Sequence, residues 1–172
     1  MKNMLFISIF CVYLMLSSCQ PGFDYEAEAK VIKEVIMLET NSFSTQDFTT
    51  VAASFVRDST AIRMSTGAAG HNVWVGWKQK LEPYFKKSAE ADWSDFEILD
   101  RKWANWKIKI YPESAWAVYN QFTDYSYQGE EGKAKTCEVR ILEKEGGKWR
   151  IVMLHWIDLV SFEEAKTIAE EE

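Results

Sequence analysis

Residues 134–155 read AKTCEVRILEKEGGKWRIVMLH, two runs of alternating apolar and polar side chains on either side of Gly146-Gly147. Alternation with period two marks a strand with one buried face, and a Gly-Gly pair between two such runs fits a tight hairpin turn. The same pattern extends in both directions. Trp103–Tyr111, Trp116–Tyr127, Ala134–Lys144 and Trp149–Val160 are all rich in aromatic and β-branched residues, with a looser turn expected from Gly129 to Gly132. Four long alternating segments in succession predict an antiparallel meander.

Upstream of Phe96 the period is helical. Ile32, Val35, Ile36 and Glu39 share one stripe of a helix expected over 26–40. Ser44-Thr45-Gln46-Asp47 offers an N-cap hydroxyl with an acid three residues on, and Phe48, Val51, Ala52 and Phe55 form the apolar face of a second helix. Residues 57–65 read as a strand ending in the loop Thr66-Gly67-Ala68-Ala69-Gly70. A third helix is expected over 75–87, with Trp77, Leu81, Tyr84 and Phe85 inward and Pro83 kinking or splitting it. Helices first and a meander afterwards define an α+β fold, with the helices packed on one face of a curved antiparallel sheet.

The 172 residues carry 20 Lys+Arg against 26 Asp+Glu, a formal net charge of −6, and 47% hydrophobic side chains. Such a chain suits one domain with a real core, and its acidic balance gives nucleic acid no electrostatic footprint. Eight Trp, 7 Tyr and 10 Phe point either to a large apolar cavity or interface, or to dense core packing.

Residues 1–18 read as a signal peptide: one Lys, a short apolar run, then small residues. Leu16-Ser17-Ser18-Cys19 resembles the lipobox of bacterial lipoproteins. The resemblance implies a lipidated Cys19, a tether over 19–25, and a membrane anchor in the bacterial cell envelope. Gln20 stands where the inner-membrane retention signal has Asp, so the outer membrane is the expected address. Cys11 would leave with the signal, so Cys137 is left without a disulfide partner and is read as a small hydrophobe. Two His and no Cys pair argue against a structural zinc site. Gly67 and Gly70 lack the strand–GxGxxG–helix setting of a dinucleotide site, so no metal or cofactor is expected. Residues 161–172 are an acidic tail or a short helix.

The order of elements resembles the nuclear transport factor 2-like superfamily, whose members include ketosteroid isomerase, the SnoaL cyclase and a kinase association domain. The resemblance covers residues 26–160. Asp47-Phe48 through Phe55-Val56-Arg57-Asp58-Ser59-Thr60-Ala61 looks like the segment joining the second helix to the first strand. Glu138-Val139-Arg140, then Gly147-Lys148-Trp149-Arg150-Ile151-Val152 and His155, looks like the last hairpin of the kinase association domain. The whole is similar to SnoaL-like lipoproteins of Bacteroidetes-type bacteria. The resemblance implies a cone-shaped sheet with a pocket between it and the helices, and a homodimer.

What that pocket would hold depends on which residues face it. Matching Phe55 and Asp58 to the isomerase puts Arg63 where its proton-moving carboxylate stands, and its helix-one Tyr falls near Glu39. A guanidinium does not act as a base at neutral pH. By the kinase-domain match Arg140 also faces inward, while Gln121 stands where that domain has a second cavity Arg. Arg63, Arg140 and Gln121, with Trp74 and Trp106, are the expected ligand-binding residues. Two guanidiniums in an apolar pocket suit a small, partly apolar acid. The competing reading pairs them internally with a buried acid such as Glu39. A cofactor-independent isomerase, cyclase or hydratase would instead use His155 with Tyr119, although a lone His on an apolar face also reads as core. Asp58 is expected to cap its strand, and His71 to lie near the pocket mouth. A third reading is a dimeric structural module that offers Trp116, Val118 and Phe122 to a second copy.

Overall fold

The computed structural model describes residues 23–68 and 70–159. The signal segment, Cys19 and the acidic end at 161–172 lie outside the described residues. Helix α1 (Tyr25–Ser44) opens on Asp24, whose carboxylate accepts a hydrogen bond from the Ala27 amide at 3.0 Å. It runs longer than expected at both ends, and its buried stripe is Ile32, Ile36, Glu39 and Ser42. Helix α2 (Phe48–Ser54) is capped by Asp47, which accepts from the Thr50 amide at 3.1 Å. The expected hydroxyl cap is therefore displaced. Ser44 belongs to the last turn of α1, where its hydroxyl donates to the Thr40 carbonyl at 3.2 Å.

Strand β1 (Ile62–Gly67) pairs with β2 (Gly70–Val75), a strand where the sequence pattern predicts a loop and the start of a helix. The reason is physical. β2 is an edge strand that is exposed at every position except Trp74, so it lacks the in–out contrast that reveals a strand. A π-helical turn (Trp77–Leu81) then leads into α3 (Glu82–Glu90). Pro83 sits in the first turn of α3, where its missing N–H costs nothing, so it starts that helix.

Strands β3 (Phe96–Ile110), β4 (Ser114–Tyr127), β5 (Glu130–Glu145) and β6 (Lys148–Asp158) form the expected meander. The six strands lie in the order β2-β1-β6-β5-β4-β3. β1 runs parallel to β6 while every other pairing is antiparallel, so the sheet is mixed. Both later hairpins turn on two residues with positive φ, Gln128-Gly129 (53° and 84°) and Gly146-Gly147 (57° and 77°). The first is thus as tight as the second, and Gly132 lies within the ladder.

Three register shifts shape the sheet, the first of them in β3 between Ile98 and Asp100. In β3 the register shifts between Ala104 and Lys107, where Asn105 takes a φ of 58° and donates to the Asn120 side chain at 2.9 Å. In β6 Leu142 pairs with Ile151 but Ile141 pairs with Met153, which leaves Val152 as the extra residue. An extra residue reverses the in–out parity of everything after it. Trp149 and Ile151 therefore face the helices, and so do Leu154, Trp156 and Asp158. Regular alternation had placed Met153 and His155 on that face.

The helices cover the inward face. Ile32, Ile36, Val51, Phe55, Trp77, Leu81, Phe85, Leu142 and Ile151 make one buried core. Glu28 anchors α1 to the last hairpin by accepting from Lys144 Nζ at 2.6 Å and Trp149 Nε1 at 2.5 Å.

Candidate functional site: a charged, aromatic-walled cavity

Beyond the packed core, between the open end of α1 and the inward faces of β3–β6, lies a cavity of about 360 Å³. That is within the range of small-molecule pockets, roughly 300–1,000 Å³. Its walls are aromatic on one side, where Phe43, Trp93, Phe96 and Tyr125 follow one another at ring separations of 5.5, 6.0 and 5.6 Å. Trp156 and Leu154 of β6 line the other side.

The floor carries charge. Arg140 of β5 is 3% exposed and donates to Glu138 Oε2 at 2.8 Å, and its other terminal nitrogen reaches Glu39 Oε2 of α1 at 3.5 Å. Thr136 donates to the second Glu138 oxygen at 2.6 Å. Burial alone would lower the Arg140 guanidinium. Tyr119, Glu138 and Glu39 outweigh it and hold Arg140 above its ordinary value. Burial pushes the Glu39 carboxyl up, against the pull of Arg140. The competing reading of Arg140 is thus realised: two buried acids pair it.

Arg63 is different. It is 8% exposed, lies against the rings of Trp74 (4.8 Å) and Tyr84 (4.4 Å), and lines the cavity. Among the described residues it has no ion pair. Burial lowers its pKa, with Tyr84 and Glu39 opposing. Arg101 also lines the cavity, but its terminal nitrogens donate to the Thr40 carbonyl, Asn41 and Ser44 at the end of α1. Asp158, half-buried at the end of β6, completes the charged lining, and burial raises its pKa with help from Glu138.

Arg63, Arg140 and Gln121 therefore meet in one cavity, and Gln121 accepts from the Trp103 indole at 3.1 Å. Trp74 does not line it but backs Arg63 from the edge strand. Trp106 is packed flat on Tyr119 at 4.2 Å, beside the cavity. The Tyr119 ring is buried and its hydroxyl has no hydrogen-bond partner among the described residues. Burial raises its pKa, so it stays protonated.

His155 stands on the outer face of the sheet, away from the cavity. Thr66 Oγ1 bridges His155 Nε2 (3.0 Å) and His71 Nδ1 (2.8 Å), which places both histidines outside. Partial burial, with His71 nearby, lowers the His155 pKa. Asp58 accepts from the Thr60 amide and hydroxyl in the loop before β1, and Trp77 is core. Cys137 is half-buried on the outer face.

The sequence reading missed Glu138, Thr136, Arg101 and Asp158 as lining residues. The first two were detectable, since they share the parity of Arg140 on one strand; the bulge hid the last.

Helices on one face of a six-stranded mixed sheet, with a pocket at the open end, define the nuclear transport factor 2-like α+β fold. Solved structures share it. A ketosteroid isomerase-like protein from Erwinia carotovora atroseptica superposes with a TM-score of 0.57 at 15% identity, over 77% of this chain and 96% of that one. A nuclear transport factor 2-like protein from Cytophaga hutchinsonii gives 0.57 at 10%, over 76% and 98%. A protein of unknown function from Mycobacterium tuberculosis gives 0.67 at 15%, over 87% and 82%. No family model matches the chain, and neither does any curated protein.

Proposed function

We propose that this chain is a pocket protein that binds a small, partly apolar acid, without catalysing its conversion. The observation that carries the reading is Arg63: a buried guanidinium in an aromatic cavity, with no carboxylate paired to it among the described residues. A desolvated cation of this kind gains most from a ligand carboxylate, which it grips through two parallel N–H donors. The aromatic wall supplies the apolar half of the affinity.

The alternative enzyme built on His155 and Tyr119 has no support in the geometry, because one lies outside the cavity and the other has a sealed, un-ionised hydroxyl. The remainder of the proposal is the lipid anchor at Cys19, which would hold the pocket at the cell envelope, and a homodimer through the outer sheet face. Trp116 and Phe122 are exposed there.

Octanoate is a suitable probe, read by the fluorescence of Trp93 and Trp156. Saturable quenching is expected, and Arg63→Gln should weaken it by about 10–100-fold, the worth of a charge-assisted contact in a dry site. Equal affinity in the variant would remove Arg63 from the site and the reading with it.

A further inference from the structure

The lining of the cavity holds three acids and three arginines, and they are not all spent in the same way. Arg140 takes Glu39 and Glu138. Arg101 is committed to the end of α1. What is left over is one cation, Arg63, and one anion, Asp158, and neither side chain has a hydrogen bond or ion pair among the described residues. They do not reach each other. Arg63 lies beside Leu154 in the β1–β6 ladder, and Asp158 is four residues further along β6, or about 13 Å of strand at 3.3 Å per residue.

The Asp158 end is built rather than incidental. Its carboxylate lies directly over Gly67, where a Cβ would come within 2.1 Å of Oδ2, so in its present pose the aspartate uses space that the missing side chain of residue 67 leaves open. Trp156 points the same way two residues earlier, and Tyr125 and Phe96 line the cavity across from it. A carboxylate beside aromatic faces suits an ammonium group, which gains from the ring quadrupoles as well as the charge.

We propose that the ligand is amphoteric: its acid group sits at Arg63, and a protonated amine at its far end sits at Asp158 among the aromatic rings. This rests on the acid-binding reading above and adds the second charge. Burial already disfavours the Asp158 carboxylate, and an ammonium partner would restore its ionisation.

The test compares ω-aminooctanoate, ω-aminohexanoate, octanoate and octylamine on the wild-type chain, on Asp158→Asn and on Arg63→Gln, by calorimetry. One ω-amino acid is expected to bind about tenfold or more tighter than octanoate, the worth of one partly desolvated ion pair. In Asp158→Asn that advantage should vanish, so that amino acid and octanoate bind alike. Melting temperatures of the three proteins within a few degrees would show that both variants are folded. Octanoate binding as tightly as both amino acids, with Arg63 still required, overturns the amphoteric proposal and leaves the acid pocket standing. Octylamine binding that needs Asp158 but not Arg63 overturns both, because the ligand would then be a simple cation.

Discussion

Replacing Arg140 with methionine should lower stability at neutral pH by about 3–5 kcal/mol, the cost of leaving buried carboxylates without their cation. At roughly 2–4 °C per kcal/mol for a chain of this size, the melting temperature falls by on the order of 10 °C. The loss has a pH signature. The folded-state pKa of Glu39 is already above its ordinary 4.5 because of burial, with Arg140 opposing. A carboxyl raised in this way contributes stability that is present below its ordinary pKa and lost as pH rises through the raised value. Removing Arg140 raises Glu39 further, so the deficit of the variant is greatest at neutral pH and shrinks as pH falls toward 4.5. Thermal melts of both proteins between about pH 5 and 8 read this directly. A deficit of the same size across that range would mean that lost packing, not stranded charge, is the cause.

The second large effect is expected at Phe55, where α2 ends. It is 1% exposed, and its ring lies 5.3 Å from Phe85 and 6.0 Å from Trp77. Its backbone touches the sheet as well, bridging to Ile151, and the next amide donates to the Ile151 carbonyl at 3.0 Å. Phe55→Ala opens a void where helices and sheet meet and should cost about 3–5 kcal/mol. Because Phe85 also lines the cavity, the same variant should bind octanoate more weakly as that wall loosens. Phe55→Leu, which keeps most of the volume, should recover the larger part of both losses. Chemical denaturation with the two variants side by side checks this. A cost under about 1.5 kcal/mol for alanine would show that the three helical elements close the gap by shifting.

Much of this architecture is legible in the chain itself, because long one-sided elements write their burial into the sequence. The stripe Ile32, Ile36 and Glu39 and the runs from Trp103 onward reveal themselves by contrast between faces. β2 does not, since five of its six residues are exposed and only Trp74 is sheltered. Arg63 and Arg140 were recognised by resemblance, and both line the cavity. Their difference was not visible. Whether a buried arginine has a partner depends on Glu39, 101 residues away from Arg140 along the chain, and on Glu138 two residues from it. Asp158 was invisible for a local reason: its facing depends on a hydrogen-bond shift at Val152 that leaves no compositional trace.

That shift has an evolutionary reading. One extra residue in β6 turns His155 away from the cavity and offers a row that ends on an aspartate instead. An insertion or deletion of a single codon near Val152 would exchange one set of side chains for the other in one step. One residue more or less in that hairpin would therefore trade a carboxylate for an imidazole in the cavity wall with every other strand of the sheet left in register.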